Sequence, residues 1–194
     1  MGHAARQMAM NVLGGGLFAS DHHEDALSVG EAELANLRRL GASAVDLLAL
    51  QSNLATIYGR LGRDEEARGM LRDVYSGNLR LEGEEHECTL QAALNLSTSL
   101  VNTSKFAEAR AFLRPQMALA KRVLGPDHST TLDFQWGYSR AFTRDKDATA
   151  EELAEAVAIL EKTLKTAQRV LGREHPSTGN YRHELGFAKW RRGA

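Results

Sequence analysis

Apolar residues recur three and four positions apart along nearly the whole chain, as in "ALQSNLATIYGRLGRDEEARGML" (Ala49 to Leu71), and short polar turns interrupt the pattern. That spacing places the apolar side chains on one face of a helix. With only three prolines, the chain reads as almost entirely helical, and the pattern predicts nine helices near residues 4–18, 23–40, 44–61, 64–82, 88–103, 106–124, 129–144, 150–171 and 176–192. The turns fit: Gly62 ends one helix and the acidic "DEE" behind it favours the positive end of the next, while "TAEE" at Thr149 to Glu152 reads as a capping box. Two features resist. Pro115 removes an amide donor inside a helix and predicts a kink near Ala111 to Pro115, and Gly69 and Gly77 each weaken the helix over 64–82 by about 1 kcal/mol relative to alanine.

The pattern also repeats. A shift of 42 residues superimposes Asn11, Asn53 and Asn95; Gly41, Gly83 and Gly125; Ala67 and Ala109; Leu71 and Leu113; His86 and His128; Thr89 and Thr131. After Arg144 the shift becomes 47, pairing Ala109 with Ala156, Leu113 with Leu160, Gly125 with Gly172, His128 with His175 and Thr131 with Thr178, so five residues are inserted near "DKDATAE". Each period holds two helices, the length of a hairpin in a solenoid.

The repeated loops "LRLEGEEHECTL", "KRVLGPDHSTTL" and "QRVLGREHPSTG" join glycine to histidine and invite a metal or anion reading. Repetition argues against it: the copies fall about 10 Å apart along a helix stack, so His86, His128 and His175 cannot converge on one ion. They read instead as junctions in which glycine ends one helix and the imidazole bonds orphan backbone groups of the next. His22 and His23 fall in a turn, "GGG" at Gly14 to Gly16 lacks the residues of a phosphate loop, and Cys88 reads as a helix-start residue. No nucleophile stands with a base and an orienting group, so the sequence predicts neither enzyme nor cofactor nor metal site.

Composition narrows the setting. At 194 residues, 43% apolar and 25% charged, the chain has the make-up of one globular domain. Lys plus Arg (24) almost cancels Asp plus Glu (25), which removes the general electrostatic case for nucleic acid or an anionic membrane as partner. No apolar run approaches the roughly 20 residues that span a bilayer, no secretory signal is visible, and the single Cys88 suits a reducing compartment, so the expected location is cytoplasmic.

The segment quoted above resembles a tetratricopeptide repeat (TPR), with Leu54, Ala55, Tyr58, Ala67, Leu71 and Val74 at that family's packing positions. The 42-residue period, closed by "VLGPDH" or "VLGREHP", is similar to the long repeats of kinesin light chains and their relatives. The resemblance implies an all-α, right-handed superhelical solenoid over a single domain, 1–194, with repeats near 4–40, 44–82, 88–124 and 129–171 and a last helix at 176–192. It further implies that the first helix of each pair lines a concave groove for peptides or partner proteins.

On those first helices, positions i, i+4, i+7 and i+11 make one stripe. It reads Ala49, Asn53, Thr56, Arg60; then Gln91, Asn95, Thr98, Asn102; then Asp133, Gly137, Arg140, Arg144; then Asn180, Glu184, Phe187, Arg191. A stripe this polar is expected to face solvent or a partner. Asn11, Asn53 and Asn95 align with the asparagine that TPR relatives use on a peptide backbone or terminal carboxylate, and Gly137 breaks that ladder. Arg60, Arg140, Arg144 and Arg191 suit carboxylates, with Trp136 and Phe187 as apolar anchors, so the expected partner is a protein or an acidic peptide in the groove. The alternative is a helical subunit of a larger complex that uses its convex face or its ends. Tyr181 and Trp190 distinguish the two: packed back they cap the end, exposed they favour assembly.

Overall fold

A computed structural model of the chain describes residues 22–193. They form eight helices: α1 (His23–Arg39), α2 (Ala44–Arg60), α3 (Asp64–Glu82), α4 (Glu87–Asn102), α5 (Phe106–Val123), α6 (Ser129–Thr143), α7 (Ala150–Val170) and α8 (Pro176–Gly193). Among the described residues there is no strand, and each helix expected from residue 23 onward forms with its ends displaced by at most one residue. The expected helix near 4–18, with Asn11 and the Gly14 to Gly16 run, lies outside the described residues. Contacts divide the chain after Gly83 into two compact units, the first holding α1 to α3 and the second α4 to α8.

In the first unit α2 packs against α1 and α3 around Leu34, Leu37, Leu50, Leu54, Ile57 and Tyr58. Glycine makes both contacts close. A Cβ on Gly30 would stand 2.6 Å from Leu54 Cδ2, and one on Gly77 would stand 2.6 Å from Leu48 Cδ2. The helical cost of Gly77 is therefore exchanged for the approach of α3 to α2, whereas a Cβ on Gly69 would meet nothing within 4 Å.

In the second unit each helix packs on the next, and α6 also touches both α4 and α8. The first helices thus form one layer and the second helices, α5 and α7, the other. The sequence period reappears as burial: Ala109 and Ala156, with Leu113 and Leu160 one turn later, are all fully buried. α5 runs through Pro115 without interruption; Pro115 and Ala111 are both exposed, so water can reach the carbonyl that the proline leaves unpaired. The insertion forms the loop 144–149, followed by the capping box: Glu152 N donates to Thr149 Oγ1 at 3.2 Å and Thr149 N donates to Glu152 Oε2 at 2.9 Å.

Two kinds of junction recur. Within hairpins, α2 ends with Gly62 N donating to Gly59 O and Arg63 N to Tyr58 O, with Gly62 in the left-handed region at φ 73°. One period later, Ser104 holds the same conformation at φ 59°, with Ser104 N bonded to Val101 O and Lys105 N to Leu100 O. The bond pattern closes the helix end in both places, but a side chain there is strained. Between hairpins, Gly83, Gly125 and Gly172 turn the chain at φ 85°, 91° and 96°. The following histidine then caps the next helix. His86 Nδ1 accepts from Cys88 N at 3.3 Å, His128 Nδ1 from Thr130 N at 3.3 Å and His175 Nδ1 from Ser177 N at 3.2 Å. Cys88 accordingly sits in the first turn of α4.

Substitutions at two positions check these turns. Ser104→Gly relieves the left-handed strain and is expected to raise stability by about 1 kcal/mol, seen as a higher urea midpoint. His128→Ala leaves the amide of Thr130 without its acceptor and is expected to cost about 1 kcal/mol, while His128→Asp, which restores an acceptor, stays near wild type in the same titration.

Candidate functional site

The polar stripe differs from helix to helix. On α2, Asn53, Thr56 and Arg60 are exposed, with Thr56 Oγ1 donating back to Ser52 O at 3.3 Å. On α4, Gln91 and Asn102 are exposed and Asn95 and Thr98 half-buried; Gln91 Nε2 donates to Asn95 Oδ1 at 3.2 Å, and Thr98 Oγ1 donates to Leu94 O at 2.9 Å. Each helix by itself presents a polar face, on which Thr56, Gln91, Asn95 and Thr98 already hold bonds along their own helix.

On α6 and α8 the stripe turns inward. Glu184 is only 2% exposed, which corrects the expectation that the whole stripe faces solvent or a partner. Its carboxylate accepts from Thr143 Oγ1 and from Arg144 Nη2, the latter at 2.8 Å, and Arg140 Nε stands 3.8 Å away. A buried carboxylate is tolerated because charged donors surround it. Burial pulls Arg140 below its ordinary pKa; Glu184 opposes that shift and the like charge of Arg144 adds to it. Arg140 also donates to Asn102 Oδ1 at 3.2 Å, which ties α6 to α4.

The aromatic candidates are engaged by the same arginines. Arg140 lies 4.7 Å from the Trp136 ring centre and Arg144 lies 4.4 Å from that of Phe187. Trp136 packs into the α6–α7–α8 core with Val157, Leu160, Leu164 and Tyr181. Arg191 serves the insertion loop: its Nη1 donates to Thr143 O at 3.0 Å and Asp145 O at 2.7 Å, and its Nη2 to Lys146 O at 3.3 Å. From the other side Arg110 donates to Ala141 O at 2.9 Å and Asp145 Oδ2 at 2.8 Å. Two guanidiniums thus hold the C-terminal carbonyls of α6, where positive charge is favoured. Asn180 is exposed on α8.

The end of α8 splits the expectation placed on its aromatics. Tyr181 is fully buried and donates to Asp133 Oδ1 at 2.7 Å, whereas Trp190 is 65% exposed beside Phe187. Burial pushes both Asp133 and Tyr181 above their ordinary pKa; the hydrogen bond opposes the shift at Asp133 and adds to it at Tyr181.

Layered hairpins with a repeated small residue at each contact define a helical repeat protein, and comparison with known proteins identifies the family. Tetratricopeptide repeat models match residues 46–114 and 148–177. The chain belongs to the tetratricopeptide repeat family. Two solved structures of a Podosopora anserina protein with nearly identical TPR-like repeats, assigned as a kinesin light chain, are each 25% identical over 100% of this chain, cover 89% and 90% of their own, and superpose with TM-scores of 0.79 and 0.77. BtubC (BKLC) from P. vanneervenii, 18% identical over 95% of this chain and 71% of its own, superposes with a TM-score of 0.77 and shares the fold. No curated protein matches the chain in sequence. The fold class is therefore an all-α, TPR-like solenoid, the architecture of protein–protein interaction scaffolds, which are typically non-enzymatic. No described helix is long and apolar enough to cross a membrane.

The Tyr181 bond gives a direct check on how α8 is held. Tyr181→Phe leaves the half-buried Asp133 carboxylate without its donor and is expected to destabilise by about 1–3 kcal/mol, whereas Asp133→Asn keeps an acceptor without a buried charge and stays at or above wild type in urea unfolding at neutral pH.

Proposed function

We propose that the chain is an adaptor whose first-helix face binds a short acidic segment of another protein. The observation that carries this reading is the pair Arg140 and Arg144, laid over Trp136 and Phe187 and set against the single carboxylate of Glu184. Stacking restrains each guanidinium, so less freedom is lost when a ligand carboxylate engages its N–H groups. Asn95, Asn102 and Gln91 supply donors and acceptors for a peptide backbone on the neighbouring helix, and Asn53, Thr56 and Arg60 present a comparable set on α2. Asn180, beside Glu184 and Phe187 in the α8 stripe, extends the polar surface, and Arg191 serves it by fixing the end of α6. Asn11 holds the equivalent sequence position in the preceding repeat. A second reading, a subunit built into a larger assembly, is favoured by the exposed Trp190 on α8. In neither reading is nucleic acid or membrane a partner, and the near-neutral balance of charge supports this. A cytoplasmic location is consistent with both.

The binding test uses fluorescein-labelled hexaglutamate followed by anisotropy at low salt. Reversing the two arginines alone would crowd new acids around Glu184, so the informative variant is R140Q/R144Q/E184Q, which removes both cations and their buried counter-ion together. It is expected to weaken binding by at least about tenfold. Affinity equal to wild type would sink the groove reading.

A further inference from the structure

Asn53, Asn95, Gly137 and Glu184 hold one equivalent place in successive first helices, related by shifts of 42, 42 and 47 residues. At Gly137 the side chain is lost; at Glu184 it becomes an acid. That acid reaches from α8 to α6, where Thr143 Oγ1 and Arg144 Nη2 donate to it and Arg140 Nε lies 3.8 Å away. The nearest acid in the loop beyond, Asp145, is taken by Arg110 at 2.8 Å. Two guanidiniums consequently share one buried carboxylate. The outer part of Arg144 remains accessible, its side chain being 37% exposed, so an arriving carboxylate meets a cation already bonded to Glu184 and also feels that residue's negative charge.

We propose that Glu184 is a built-in competitor for the arginine pair, a carboxylate of the chain's own that an acidic peptide must displace or share, and that it thereby sets the affinity and charge selectivity of this face. The proposal rests on the groove reading above. It makes Glu184 a tuning residue: its loss strengthens acidic ligands, the reverse of what a ligand-binding residue would do. Thr143 is the positioning residue that keeps the carboxylate turned toward the arginines.

Hexaglutamate anisotropy separates the two ideas. E184Q, which keeps the shape and removes the charge, is expected to bind about tenfold tighter than wild type. T143V, which removes only the hydroxyl donor, should fall between them, and E155Q, the same loss of charge at an exposed site on α7, should bind as wild type does. If E184Q binds no tighter while R140Q/R144Q/E184Q loses binding, the competitor is overturned and the groove reading stands. If the triple variant binds as E184Q does, or if none of the proteins binds, both fall. A gain in E155Q equal to that in E184Q would reduce the effect to net charge and overturn the proposal. Should circular dichroism show E184Q unfolded, T143V decides: affinity equal to wild type overturns the competitor.

Discussion

Adjacent helices in this chain can approach one another because a small residue recurs at one buried position. Ala67, Ala109 and Ala156 lie in the first two turns of the second helices α3, α5 and α7, and each is followed one turn later by a buried leucine, Leu71, Leu113 or Leu160. A helix whose apolar surface is too wide for one neighbour must be covered from two sides, and stacking hairpins is the economical way to cover it. That requirement fixes the rest. Helices this close need short junctions, short junctions need left-handed turns, and the helix start after each turn needs an acceptor for its amides. The histidines of the repeated loops supply that acceptor through Nδ1, which explains why a residue so often tied to metals recurs here where no common ion can be held.

Helices and period are legible in the sequence because both arise from local constraints. Apolar spacing, glycine at junctions and the Thr149–Glu152 box each act within one helix or one turn, and the structure places α1 to α8 where those signals put them. Ser104 was not legible. Nothing in "NTSKF" announces a positive φ, and only its alignment one period after Gly62 carries a signal. Gly77 was legible only as a cost; its benefit, the seat of Leu48, depends on a helix that the local pattern does not include.

The polar stripe shows where such reading stops. A hydropathy pattern separates polar from apolar positions, but it does not separate a solvated charge from a buried charge that has found its partner. Glu184 and Arg144 lie 40 residues apart, Tyr181 and Asp133 lie 48 apart, and neither pair has a local mark. One signal was available: opposite charges at neighbouring heights on consecutive first helices, Arg140 and Arg144 against Glu184. Consecutive first helices are adjacent in any stack of this kind, so charges of opposite sign on their facing stripes have reason to pair across the layer before meeting a ligand.

That pairing changes what a polar face can do. Gln91 to Asn95, Arg140 to Asn102 and Arg144 to Glu184 are bonds made without any ligand, and the last two tie α6 to α4 and to α8. A ligand on such a face gains by exchange, trading one set of hydrogen bonds for another. The net return of each exchange is much smaller than the bond itself. Affinity must then come from several exchanges made at once, or from the excess of two cations over one anion at Arg140, Arg144 and Glu184. On the proposed reading the same groups that stiffen the layer also set a threshold for binding: a ligand with a single neutral contact would recover little, and one with carboxylates spaced to meet the arginines would recover most. On that reading structural cohesion and selectivity are two consequences of one network, and the excess of positive charge within it is what would favour an acidic partner.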